Sequence, residues 1–104
     1  MLTVSTIEID MPLAMNVSVS DDTLSVDLRD GRSLSVPLAW YPRLANGSTK
    51  ERENWCLIGQ GAGIHWEELD EDISLLGLLE GKPSGESQSS FQRWLAARHS
   101  EMSL

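Results

Sequence analysis

Between Leu24 and Val36 apolar and polar residues alternate on both sides of Asp30-Gly31, and few folds accommodate that pattern other than a β-hairpin. Asp-Gly tolerates the positive φ angles of a type I′ turn, which predicts two strands joined by a two-residue loop. Leu24, Val26 and Leu28 then share one buried face with Leu34 and Val36. Asp27, Arg29, Arg32, Ser33 and Ser35 fall on the opposite or peripheral side, where their expected role is structural. A hairpin cannot stand alone in water, so the remaining chain must cover that apolar face.

Upstream, residues 3–9 alternate as a short strand, which Pro12 interrupts. The pattern resumes at residues 15–20, with Met15, Val17 and Val19 expected on the buried face. Downstream, Pro37 closes the hairpin, and Leu38-Ala-Trp-Tyr-Pro-Arg-Leu fits a short helix or helical turn that Pro42 either shortens or starts afresh. Asn46-Gly47 stops it. Ser48 with Glu51 is a capping box, predicting a brief helix over residues 49–54 that turns Lys50, Glu51, Arg52 and Glu53 outward. The segment from Trp55 to Gly59 reads as a strand buried on both faces, and Gly59, Gly61 and Gly63 as a bend or bulge. Ile73, Leu76 and Leu79, widened by Leu75 and Leu78, predict a helix over residues 70–81, capped by Asp70 or Asp72 and stopped by Gly81 and Pro83.

Residues 83–90 have the composition of a linker. Phe91, Trp94, Leu95 and Arg98 then recur at i, i+3, i+4 and i+7, so residues 90–99 form an amphipathic helix that needs a surface to pack on. The expected architecture is α+β: a small antiparallel sheet with the central Asp-Gly hairpin, short helices packed on it, and a C-terminal amphipathic helix. Residues 1–82 make one domain, and residues 83–104 a linker and helical tail. At 104 residues the chain has room for one modest core and no second domain.

Charge narrows function. Sixteen acidic residues against eight basic ones leave a net charge of −8, much of it at Glu67, Glu68, Asp70, Glu71 and Asp72. That balance argues against nucleic acid or an anionic membrane as partner; surplus acid more often serves solubility alone, and a basic protein surface is the partner it would suit. A single cysteine, Cys56, permits no intrachain disulfide, and no leader or membrane span is evident, which makes the cytoplasm the expected compartment.

No reaction centre stands out. Gly59-Gln-Gly-Ala-Gly lacks both the Rossmann spacing and the P-loop lysine, so a turn is expected there. His65 with Glu67, Glu68, Asp70 and Asp72 offers donors for a divalent metal, but helix capping and a solvated face account for the acids, and no metal or cofactor is expected. Cys56 and His65 lack a visible third group, and a cysteine in an apolar strand is ordinarily a small core residue. Trp40, Trp55 and Trp66 are expected in the core; Trp94 suits a core or an interface equally.

Asp30-Gly31-Arg32, Val36-Pro37-Leu38-Ala39-Trp40-Tyr41-Pro42-Arg43-Leu44, Glu51-Arg52-Glu53-Asn54-Trp55 and Gly63-Ile64-His65-Trp66 with Leu69-Asp70-Glu71-Asp72-Ile73 together form a pattern. It resembles the small bacterial domain-of-unknown-function family 2442, over roughly residues 10 to 81. The resemblance implies an α+β domain with a small antiparallel sheet. It also implies a role beside a partner, since some members are encoded next to a small protein in an arrangement that looks like a toxin–antitoxin pair. A related branch carries a helix-turn-helix domain, for which the residues after the core are too few here. Relatives often have proline after the His-Trp pair where this chain has Glu67.

The expected function is therefore a non-enzymatic, antitoxin-like interaction module that binds a basic protein or a second copy of itself as a homodimer. Its contacts would be Phe91, Trp94, Leu95 and Arg98 on the tail and Glu67, Glu68, Asp70 and Glu71 in the acidic segment. The alternatives are a transcriptional regulator and a small metal-dependent enzyme centred on His65.

Overall fold

The computed structural model describes residues 12–102, with side chains through residue 99; the strand expected at residues 3–9 lies outside the described residues. The chain is α+β, and its antiparallel pairing is divided between two three-stranded sheets. The first contains β1 (Ala14–Val19), β2 (Thr23–Leu28) and β3 (Ser33–Pro37) in that order. A 3₁₀ turn (Leu38–Trp40), α1 (Pro42–Ala45) and α2 (Thr49–Glu53) lead to the second sheet, β4 (Trp55–Ile58), β5 (Gly63–Trp66) and β6 (Glu71–Ser74). Two helices complete the chain, α3 (Leu75–Leu79) and α4 (Gln88–Met102).

The hairpin register places Leu24 opposite Val36 and Val26 opposite Leu34, and Leu24, Val26, Leu28 and Val36 are buried as the alternation predicts. On the polar face Ser33 Oγ donates to Asp27 at 2.8 Å, and Ser25 and Ser35 share a hydroxyl contact. The turn differs from the expected type. Leu28 N–H bonds Arg32 O and Gly31 N–H bonds Leu28 O, which makes a three-residue loop, and of Asp30 and Gly31 only Gly31 (φ 97°) takes a positive φ. This is the G1-bulge arrangement; a type I′ turn would need both residues there.

Met15 also departs from expectation. Ala14 pairs with Leu28 but Asn16 with Asp27, so Met15 is an extra residue in β1 and is 58% exposed instead of buried. A bulge resets the inside-outside phase, which is why Ala14 and Val17 are both buried although an odd number of residues apart.

Pro42 opens α1 at its first turn. The Ser48/Glu51 capping box forms reciprocally and starts α2. Of the four α2 residues expected to point outward, Glu51 and Arg52 are half-buried. Arg52 donates through Nε to Leu44 O and through Nη2 to Ala45 O, both at 2.8 Å, satisfying carbonyls at the end of α1.

The second sheet overturns two expectations. β4 is an edge strand, so only Trp55 and Leu57 are half-buried while Cys56 and Ile58 are exposed; Cys56 is not a core residue. Residues 70–81 do not form one helix. Glu71–Ser74 pairs with β5, matching Ile64 to Ile73 and Trp66 to Glu71, and the helix begins only at Leu75, where Ser74 Oγ accepts from Gly77 N–H at 2.9 Å. The buried residues follow: Ile73, Leu75 and Leu78 face inward, whereas Leu76 and Leu79 are exposed. Gly81 ends α3 as expected, with Lys82 N–H bonding Gly77 O and Gly81 N–H bonding Leu78 O, the paired bonds of a Schellman motif.

One apolar cluster joins both sheets. Val17, Leu24, Val26 and Val36 meet Ile64, Trp66 and Ile73 through the intervening Leu38, Tyr41, Leu44, Leu69 and Leu75. Trp40, Trp55 and Trp94 pack at its margin. Among the described residues no helix is long and apolar enough to cross a membrane.

Candidate functional site

The acidic segment forms the link from β5 to β6. Glu67 and Glu68 follow β5 directly and are exposed, Leu69 is buried, and Asp70 adopts φ 51° as the chain turns back. Buried Leu69 anchors the turn and leaves its acids outside. These acids do not cap a helix, because the first helical residue is Leu75 and the cap is Ser74. Side-chain exposure of 84% at Glu67 and 87% at Asp70 shows how fully the carboxylates are presented.

Glu71 behaves differently. It opens β6 and faces a cleft of about 440 Å³ whose other side is the segment after α3, lined among others by Tyr41, Arg43, Ile73, Lys82 and Glu86. Its carboxyl accepts no hydrogen bond among the described residues. Burial pushes it up to about 7; Arg43 pulls the other way, and the carboxylates of Glu86, Asp72 and Asp70 add to the rise.

Arg43 organises the far side of that cleft. Its Nε donates to both oxygens of Glu86 at 3.0 and 3.1 Å, its Nη2 to Glu86 Oε2 at 2.5 Å, and its Nη1 to the carbonyls of Leu69 and Asp70 at 3.4 and 3.1 Å. Both side chains of the pair are only 14% exposed, so the ion pair is better shielded than a surface one. Arg43 holds the Glu86 carboxyl below its usual range, with Ser90 Oγ, donating at 2.8 Å, adding to the effect. Arg43 Cζ also lies 5.2 Å from the Trp94 ring centroid.

The tail residues singled out by spacing do share one face of α4, and that face turns toward the chain's own body. Phe91, Trp94, Leu95 and Arg98 are all half-buried. Phe91 stacks on Trp94 at 5.8 Å, Arg98 Cζ sits 4.8 Å from the Trp94 ring on its own account, and Arg98 makes a two-pronged pair with Glu51 at 2.8 and 3.0 Å. The structure therefore separates the eight candidates into an exposed acidic turn (Glu67, Glu68, Asp70), a half-buried carboxyl in a cleft (Glu71), and a helix face docked in cis.

Arg43 and Glu86 were not among those candidates. Arg43 lies within the motif Pro42-Arg43-Leu44, but nothing in its neighbourhood announces a partner 43 positions away.

His65 lies across from Cys56 on β4 and Asp72 on β6. Its Nδ1 meets the Asp72 carboxylate and its Nε2 the Glu67 carboxylate at 2.7 Å. Glu68 and Asp70, grouped with it by sequence, are engaged elsewhere: Glu68 accepts from Asn54 Nδ2, and Asp70 approaches Arg43 at 3.5 Å. Among the described residues no group of three or more His, Cys, Asp and Glu side chains is placed to hold a metal ion.

The two carboxylates, Glu67 first and then Asp72, hold the His65 pKa above its ordinary 6.5. An imidazolium favoured by folding contributes stability that is complete below 6.5 and is lost as pH rises through the higher folded-state value. An NMR titration of the His65 ring should find its midpoint above 6.5, and Glu67→Gln should lower it. A midpoint at or below 6.5 in the unaltered chain would contradict the pairing.

A family model described as "Protein of unknown function (DUF2442)" matches residues 14–84. Among solved structures, a protein of unknown function from Rhodospirillum rubrum ATCC 11170 is 31% identical, with a TM-score of 0.65 over 76% of this chain and 98% of that one. An uncharacterized protein from Chromobacterium violaceum is 20% identical, with a TM-score of 0.64 over 93% of this chain and 85% of that one, a likeness of fold alone. No curated protein matches the chain.

Proposed function

The chain belongs to the DUF2442 family, proteins of unknown function, and we propose that within it this member is a non-enzymatic interaction module that binds a basic protein. The observation that carries this reading is the β5–β6 turn, where Glu67, Glu68 and Asp70 stand in solvent around a buried Leu69 anchor. A rigidly seated patch of one sign steers and orients an oppositely charged partner at little ordering cost. The net charge of −8 extends that field beyond the turn. The action would be antitoxin-like, occluding a partner's basic surface by covering it.

The test is native mass spectrometry of the tagged full-length chain purified from its own host. The expected result is a stoichiometric complex with a basic protein. It should weaken as salt is raised, because the Debye length shrinks from about 10 Å at 0.1 M to about 3 Å at 1 M. Neutralising the turn with Glu67→Gln, Glu68→Gln and Asp70→Asn together should abolish it. Recovery of a bare monomer, of a salt-resistant homodimer, or of a complex indifferent to the triple substitution would overturn the reading.

A further inference from the structure

α4 is fastened mainly by polar ties. The approach from α3 is held by Tyr41 OH donating to Lys82 O at 3.1 Å and by Ser84 N–H donating to Trp40 O at 2.9 Å. Glu86 then links Arg43 to Ser90 in the first turn of the helix, and Arg98 reaches Glu51. Among the described residues of α4, only Trp94 packs on the apolar cluster. Few apolar contacts and a helix of a length that is marginal by itself place this segment at the low end of local stability. The same segment supplies one wall of the cleft into which Glu71 faces.

We propose that residues 82–102 act as a proton-governed strap, closed over the cleft while Glu71 carries a proton and lifted when Glu71 is ionised. Closure removes water from the Glu71 carboxyl and sets the Glu86 carboxylate near it, and both effects oppose a charge on Glu71. Ionised Glu71 in turn competes with Glu86 for Arg43, the residue that holds the strap down. Each half of this coupling implies the other, because the state that binds the proton more tightly is the state acid favours.

The sign follows from the direction of the shift. Glu71 is raised from 4.5 to about 7 with the strap closed, chiefly by burial. Lifting relaxes part of that rise, so the closed fraction is greatest in acid and declines as pH climbs toward 7, by up to about tenfold in the equilibrium per pH unit.

The other charged and titratable groups around Glu71 do not supply this dependence. From the 3₁₀ turn and α1, Arg43 is raised by Glu86 and stays cationic, while burial and then Glu71 raise Tyr41, which stays neutral. From the strap, Glu86 is held low by Arg43, and Lys82 is paired with Glu80 at 2.9 Å. Asp70 at the end of the β5–β6 turn and Asp72 on β6 flank Glu71 along the chain. His65, held above its ordinary 6.5 by Glu67 and Asp72, also titrates, but it bonds those two carboxylates, neither of them in the strap.

The experiment is fluorine NMR of the full-length chain labelled with fluorotryptophan, following the Trp94 resonance from pH 5 to 8, with the buried Trp66 resonance reporting that the fold is intact. The docked Trp94 signal should lose population as pH rises through the window below 7. Glu71→Gln should keep it docked throughout, Arg43→Met should release it throughout, and His65→Gln should leave the wild-type profile in place. A Trp94 signal indifferent to pH, or a pH dependence that survives Glu71→Gln or disappears with His65→Gln, overturns the proposal. Should Glu71→Gln fail to fold, the carboxyl ¹³C titration of Glu71 decides instead: its midpoint should fall when Trp94→Ala removes the packing of the strap on the apolar cluster while leaving every charge around Glu71 in place, and an unchanged midpoint overturns the proposal. The outcome concerns the chain by itself and is independent of whether a basic partner is ever found.

Discussion

Replacing Trp66 by alanine is expected to cost about 3–5 kcal/mol, the range for truncating a large aromatic side chain in a core. Trp66 is fully buried, at 0% exposure, on β5, the central strand of the second sheet. Its Nε1 donates to Arg52 O at 2.9 Å, which ties the end of α2 to that sheet. The substitution therefore opens a cavity and removes a donor from a backbone carbonyl in one step. Small domains have about 5–15 kcal/mol in total, so the loss brings a domain at the low end of that range close to its unfolding midpoint and removes roughly a fifth to a third of the stability of one at the high end. Urea denaturation followed by far-UV circular dichroism measures this without interference from the other tryptophans. Trp66→Phe separates the two effects, since it keeps most of the volume and loses the donor. A loss below about 1 kcal/mol for Trp66→Ala would show that the two sheets do not share this residue as a common support.

Gly61→Ala should be the next most damaging change, at about 3 kcal/mol, from two additive causes. Gly61 has φ +105°, a conformation that side chains rarely adopt, and a Cβ there would lie 2.6 Å from Ala14 O. That oxygen belongs to the backbone of β1 and cannot swing aside. The turn between β4 and β5 and the first strand of the other sheet would have to part for the methyl group to fit. Gly31→Ala is the control: its φ is +97° but nothing lies within 4 Å of the added Cβ, so only the backbone strain of about 1–2 kcal/mol should appear. Equal losses for the two variants in parallel urea melts would refute the close approach at Gly61.

The first sheet was legible in the sequence because period-2 alternation and a glycine turn are local signals, and Leu24, Val26, Leu28 and Val36 carry both. The position of the turn was readable, but its type depends on which cross-strand pair closes the loop, a property of two strands together. Ile73, Leu76 and Leu79 illustrate the opposite case. Their spacing is helical, yet Ile73 belongs to a strand because β5 offers it a pairing edge, and four residues of strand leave too short a record to outweigh a five-residue apolar run. Tertiary pairing overrides local periodicity most easily in elements this short.

The same distinction separates the parts of the candidate site. Exposure of Glu67, Glu68 and Asp70 follows from their chemistry, and the stripe of Phe91, Trp94, Leu95 and Arg98 from helical spacing. That the stripe turns inward follows instead from Arg43 and Glu51, whose partners Glu86 and Arg98 lie 43 and 47 positions along the chain. No window of sequence contains both ends of either pair.

The bulge in β1 has a chemical corollary. Methionine sulfoxide is polar and bulkier than its parent, and a strand without the extra residue would hold Met15 against the apolar cluster, where such a change disrupts packing. Turned out into solvent, the Met15 thioether accommodates the added oxygen without disturbing the buried Ala14 or Val17. The extra residue in β1 thus keeps the oxidisable side chain of this strand clear of the packed core.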